Sequence, residues 1–188
     1  MDKLRGKGME SRMGRLRPFT SEKLVMPILI SGELHRSSLL RELHRRYGEI
    51  DYTSTDLPFT YTRYYDEEMG TPITRFFVSF RVLVDPGALP RIKIETNDLE
   101  DLFRESGKRR VNLDPGLLSG GRFILASTKN AAHRIPLADG IYGEITLVYE
   151  KGRYRPLEWT YPDYRSGDYS GILAEIRRIY LAGSLPGG

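Results

Sequence analysis

"ITRFFVSFRVLV", residues 73–84, is the stretch on which the reading of the fold turns. Phe76, Val78, Phe80, Val82 and Val84 recur at every second position, the period of a strand with one face against a core. Toward the N-terminus a turn through Met69, Gly70 and Pro72 separates it from "FTYTRYY" (59–65), which sets Phe59, Tyr61 and Tyr65 on one face and Thr60, Thr62 and Tyr64 on the other. A second strand is therefore predicted there. Further upstream, "LVMPILI" (24–30) reads as a buried strand bounded by Ser31-Gly32. Leu34, Leu39, Leu40, Leu43 and Tyr47 then mark an amphipathic helix that ends at Gly48.

Downstream, Asp85-Pro86-Gly87 opens a unit whose stripe of Leu89, Ile92, Leu99, Leu102 and Phe103 predicts a helix beginning near Pro90 and stopping by Gly107. "RRVNL" (109–113), a corner at Asp114-Pro115-Gly116, and "RFILAS" (122–127) supply two more strands. The order β-α-β-β-α-β from residue 24 predicts an α+β protein with a ferredoxin-like core and a mostly antiparallel sheet. A C-terminal hairpin and helix extend it. In "IYGEITLVYEKGRYRPLEW" (141–159) a two-residue turn at Lys151-Gly152 sets Glu150 opposite Arg153 and Glu144 opposite Trp159, while Ile145, Leu147, Tyr149 and Tyr154 take the other face. Ile172, Leu173, Ile176 and Ile179 mark the last helix, closed by Gly183. Three divisions follow: a disordered basic arm (1–20), one α+β domain (21–183) and a flexible tail (184–188).

Charge is unevenly placed. Of the 29 basic and 25 acidic residues, six and two lie in residues 1–17, which leaves 23 of each sign and a neutral body. The net +4 thus describes the arm, not a binding face. The absence of cysteine removes disulfides, zinc-thiolate sites, iron-sulfur clusters and cysteine nucleophiles, and fits a cytoplasmic location. The longest apolar run, Leu24 to Ile30, is too short to span a membrane and contains Pro27, so no membrane association is expected.

Within the neutral body, residues 104–134 hold seven basic and two acidic side chains. Two readings of these cations stand side by side. Arg109, Arg110, Lys129 and Arg134 can take a phosphate or carboxylate through guanidinium forks and ammonium charge; equally, the cluster can pair with Glu95, Asp98, Glu100 and Asp101. By strand alternation Arg110 and Asn112 point together and Arg109 points away. Trp159 and Tyr161 are candidates to stack a base, with Arg165 beside them. Asp114, Asp139 and Glu144 are candidate Mg²⁺ ligands, and His133, Asp139 and Glu144 candidate acid-base residues; Asp114 and Asp139 are also ordinary turn residues.

Four blocks, "DPGALPRIKIETNDLE" (85–100), "RRVNLDPGLL" (109–118), "HRIPLADGIYGEITLVYEKG" (133–152) and "WTYPDYRS" (159–166), resemble a family of uncharacterised prokaryotic proteins, a domain of unknown function. The resemblance runs from about residue 24 to 181. Some members carry a GTP-binding label, which the resemblance brings here as an expectation. No Gly-x-x-x-x-Gly-Lys-Ser/Thr loop accompanies it: Ser31-Gly32-Glu33 has no lysine, and Ser119-Gly120-Gly121 leads into a strand. The expected function is binding of a nucleotide, with GTP among the candidates, or of another phosphorylated small ligand. A metal-assisted phosphate-ester hydrolase or transferase is the first alternative, and an RNA or protein interaction module the second.

Overall fold

The computed structural model describes residues 16–32 and 35–184. Residues 1–15 of the expected arm and 185–188 of the expected tail lie outside them. The chain runs β1 (Glu22–Ser31), α1 (Arg36–Tyr47), β2 (Ile50–Thr53), β3 (Leu57–Pro58), α2 (Asp66–Met69) and β4 (Ile73–Val84). It continues through α3 (Leu89–Asp101), β5 (Val111–Leu113), β6 (Gly116–Leu118), β7 (Arg122–Ser127), β8 (Ile135–Ala138), β9 (Ile141–Glu150), β10 (Arg153–Pro156), α4 (Pro162–Arg165) and α5 (Ser170–Ser184). It is a mixed α and β structure: among the described residues, one large antiparallel sheet, ordered β10-β9-β7-β6-β1-β4-β2, and five α-helices.

The sheet is covered on both faces. Alternate residues of β1 and β4, among them Met26, Ile28, Phe76, Val78 and Phe80, pack against Leu39 and Leu43 of α1 and Ile92 and Leu99 of α3. The opposite positions, with Val25 and Phe77, join Phe123 and Leu147 beneath Tyr164 of α4 and Leu173, Ile176 and Tyr180 of α5. Every residue of β1 is buried, as its continuous apolar run requires of a strand with neighbours on both edges.

Two elements differ from the sequence reading. "FTYTRYY" is not a strand: after the two residues of β3 it is irregular, and β2 takes the place beside β4. Its aromatic residues find partners in one another instead, Phe59 meeting Tyr61 and Tyr65 at ring distances of 5.9 and 6.1 Å. Asp114-Pro115-Gly116 is not a corner either. Ile28 faces Leu113 and Val25 faces Gly116, so β5 and β6 lie along β1 in one unbroken register. The ladder lapses only where Asp114 and Pro115 stand opposite Pro27 and Met26, since neither proline has an N–H to give. Asp114 N–H still reaches the Pro27 carbonyl at 3.1 Å. The chain reverses later, where Ser119 N–H closes on the Arg122 carbonyl at 3.0 Å.

The hairpin at Lys151-Gly152 has the expected register, Glu150 opposite Arg153 and Tyr149 opposite Tyr154. Both turn residues have positive φ, 51° and 81°, as a two-residue turn between twisted strands demands. The strand then ends at Pro156, before it can bring Trp159 into the ladder.

Candidate functional site

A cleft of about 880 Å³ opens where the sheet splits. β6 pairs with β7, but among the described residues no strand pairs with the outer edge of β5; the last link is Ala126 N–H to the Pro115 carbonyl at 3.0 Å. The backbone groups this leaves on β5 must be satisfied some other way. Two side chains of α3 do so: Glu100 Oε1 accepts from Leu113 N–H at 2.7 Å and Lys93 Nζ donates to the Leu113 carbonyl at 2.8 Å. Asn112, Leu125, Ala126 and Ser127 line the two banks of the split, with Tyr61, Tyr64 and Tyr65 and Tyr161 to Tyr164 contributing further wall.

A continuous hydrogen-bonded chain of charges crosses the floor. Arg109 donates to Glu68 Oε2 at 2.8 Å, Glu100 Oε2 at 2.9 Å and Asn112 Oδ1 at 3.0 Å. Asn112 Nδ2 donates to Asp114 Oδ2 at 2.9 Å, and Arg75 lies between Asp114 at 3.3 Å and Asp163 at 3.4 Å. Tyr169 donates to the same Asp163 oxygen at 3.3 Å. Burial pushes the carboxyls of Glu100 and Asp163 above their ordinary values, the nearby cations Lys93 and Arg109, or Arg75, opposing it. Burial likewise raises the Tyr65, Tyr164 and Tyr169 hydroxyls.

Glu144 reaches the cleft through an irregularity in β9. Phe123 faces Leu147, yet Ile124 faces Ile145, so one extra residue, Thr146, is looped into β9. Simple alternation predicts Glu144 and Leu147 on opposite faces; the bulge puts both on the face of Phe123 and Leu125. The bulge also frees two carbonyls. Thr160 Oγ1 donates to that of Thr146 at 2.6 Å and Trp159 Nε1 to that of Ile145 at 2.9 Å. These bonds bring Trp159 over His133, ring planes 12° apart and centroids 5.5 Å apart. His133 Nε2 meets Glu144 Oε2 at 3.0 Å, and Arg134 Nε donates to the same oxygen at 2.8 Å.

Of the candidates read from the sequence, Arg109, Asn112, Asp114, Lys129, Arg134, Glu144 and Tyr161 line this cleft. His133 and Trp159 stand behind Glu144 rather than on the lining. Arg165 donates to the Leu157 carbonyl at 3.2 Å, and Arg110 holds the Met69 carbonyl at 2.9 Å and Glu105 at 3.2 Å. Asp139 occupies the exposed tip of the β8–β9 hairpin with φ 53°. Asp114 is engaged by Arg75 and Asn112, and Glu144 by Arg134 and His133; among the described residues no three His, Asp or Glu side chains gather as a metal-ion site. The pairing of Arg109 with Glu100 and Arg104 with Asp101 takes up part of the basic cluster.

Arg75, Asp163 and Tyr164 line the same cleft, as does Glu100, which the sequence offers as a partner for the basic cluster; of these only Arg75 was not singled out in the sequence. Arg75 carried a signal: within 73–84 it shares its alternation with Phe77, an arginine on an apolar face. Glu100 carried none beyond its place in an acidic stretch.

Among the described residues no helix is long and apolar enough to cross a membrane. Neither curated proteins nor solved structures include a match to this sequence. The model of a family described as a domain of unknown function (DUF4416) does match, over residues 20–180, and the chain belongs to that family.

Proposed function

We propose that the cleft binds a nucleotide or another small ligand with a phosphorylated group and a flat ring. One observation carries the reading. Among the described residues six buried side-chain polar atoms have no hydrogen-bond partner, and four of them, Arg75 Nε, Arg109 Nε, Glu144 Oε1 and Tyr164 Oη, belong to residues that line the cleft. Native interiors leave few such atoms, because each costs about 1–3 kcal/mol. Their concentration at one cavity fits a site completed by its ligand. The two guanidinium N–H groups suit an anion and the carboxylate oxygen suits an N–H donor, a combination that phosphate and base supply together.

Size and wall support the same reading. A volume of about 880 Å³ is within the range of small-molecule sites. Lys129, at the Ser127–Lys129 rim, contacts Tyr64 and among the described residues pairs with no carboxylate, which suits it to a phosphate there. The scaffold is read as ferredoxin-like. What supports this is the order β5/β6-β1-β4-β2, with α1 and α3 sharing one face.

Melting of the protein against a panel of nucleotides and phosphorylated metabolites tests the proposal. A ligand at a hundred times its Kd adds about 2.7 kcal/mol, roughly 5–10 °C for a chain of this size. At least one nucleotide is expected to give such a rise. No rise from any phosphorylated compound at millimolar concentration overturns the proposal.

A further inference from the structure

Glu144 is engaged on one side only. Its Oε2 takes Arg134 Nε and His133 Nε2, while its Oε1 has no partner among the described residues. The residue is 2% exposed and lines the cleft. Its orientation is fixed from behind: Arg134 Nη1 donates to Ser127 Oγ and to the Lys129 carbonyl, each at 2.8 Å, and Nη2 to Tyr161 Oη at 2.6 Å. His133 is in turn stacked on Trp159. Oε1 is thus a positioned acceptor rather than one arm of a mobile side chain. Tyr161 and Tyr64 stay 45% and 63% exposed and line the same cleft, with their hydroxyls held by Arg134 and Lys129.

Resting on the nucleotide reading above, we propose that Glu144 sets specificity: its Oε1 accepts from the exocyclic amino group of a base stacked on the cleft tyrosines, favouring amino-bearing bases. A carboxylate oxygen accepts and does not donate, so a ring carbonyl or a C–H placed there leaves it unpaired. Sites built around a buried hydrogen-bonding group discriminate strongly against analogues that lack its partner, because the group then stays desolvated and unsatisfied. His133 and Trp159 act through Glu144 and are positioning residues.

The test is calorimetric titration of the full chain with two matched pairs, AMP against purine riboside 5′-monophosphate and CMP against UMP. The amino-bearing member is expected to bind at least about tenfold more tightly, in line with one discriminating hydrogen bond. Glu144→Gln is expected to abolish or invert that preference. Arg134 Nε demands an oxygen, so the amide oxygen takes the Oε2 place and the NH₂ group takes that of Oε1, turning acceptor into donor. Equal affinities within both pairs, with nucleotide binding intact, overturn this inference and leave the nucleotide reading standing. A wild-type preference that survives in Glu144→Gln overturns it as well. If none of the four nucleotides binds the wild type, this inference falls, and the broader reading is decided by the panel of phosphorylated compounds. The wild-type comparison does not depend on whether the variant folds.

Discussion

Arg109 and Arg110 are consecutive, yet only Arg109 lines the cleft, together with Asn112. Strand alternation had paired Arg110 with Asn112 and sent Arg109 the other way. Alternation fails because β5 begins at Val111, so neither arginine lies within its pleat. Arg109 is the partner that keeps Glu100 Oε2 satisfied, and Glu100 is 5% exposed. Arg109→Met leaves a buried carboxylate oxygen without its cation, an arrangement that costs about 3–5 kcal/mol when fully buried. Since Arg109 keeps some solvent contact, a loss of roughly 2–3 kcal/mol is expected in urea unfolding. A loss below about 0.5 kcal/mol would show that the pair does not hold the cleft floor. Residue types were legible here, and Glu100 stood among the acidic residues offered as partners, but which carboxylate meets which arginine was not. Nothing in the spacing of Glu68, Glu100 and Arg109 says that three separate segments meet.

At the scale of elements, the split between β5 and β7 makes the cleft, and the close pairing of β6 with β7 ends just before it. Gly116 sits at that junction. A Cβ there would stand 2.5 Å from the Ile124 carbonyl oxygen and 2.8 Å from Phe123 Cε2, and the backbone atom has nowhere to go. Gly116→Ala is expected to cost about 2–3 kcal/mol through overpacking, with a corresponding fall in Tm. A variant as stable as wild type would show that β6 and β7 can separate freely. The glycine was visible in the sequence as part of Asp-Pro-Gly, but its reason was misassigned to a turn. Its role depends on how near β7 approaches, and that distance is a property of the sheet. The bulge at Thr146 was equally invisible: "GEITLVYE" has the same period-two pattern with or without an extra residue looped out.

For the molecule as a whole, burial places carboxyls against the ordinary trend of acid destabilisation. Glu22, Glu100 and Asp163 all have folded pKa values above those of the free side chains, burial being the first cause in each. A carboxyl of this kind binds its proton more tightly when folded. Its contribution is therefore complete below the unfolded value near 4 and is lost as pH rises through the folded one. These groups are expected to raise Tm as pH falls from neutrality toward the carboxylate range. Glu100→Gln and Asp163→Asn should each flatten the profile, as melting curves at stepped pH will show. A steady fall in Tm over the same interval, identical in wild type and both variants, would contradict this. By itself the sequence determined the alternating centre of the sheet, the helices α1, α3 and α5 and the β9–β10 hairpin, because those follow from periodicity and turn chemistry along a continuous stretch. The site was decided by tertiary structure alone. It depends on where a ladder lapses opposite Pro27, where β9 bulges, and which of many charges meet across the gap, relations between segments far apart in the chain that no local pattern encodes.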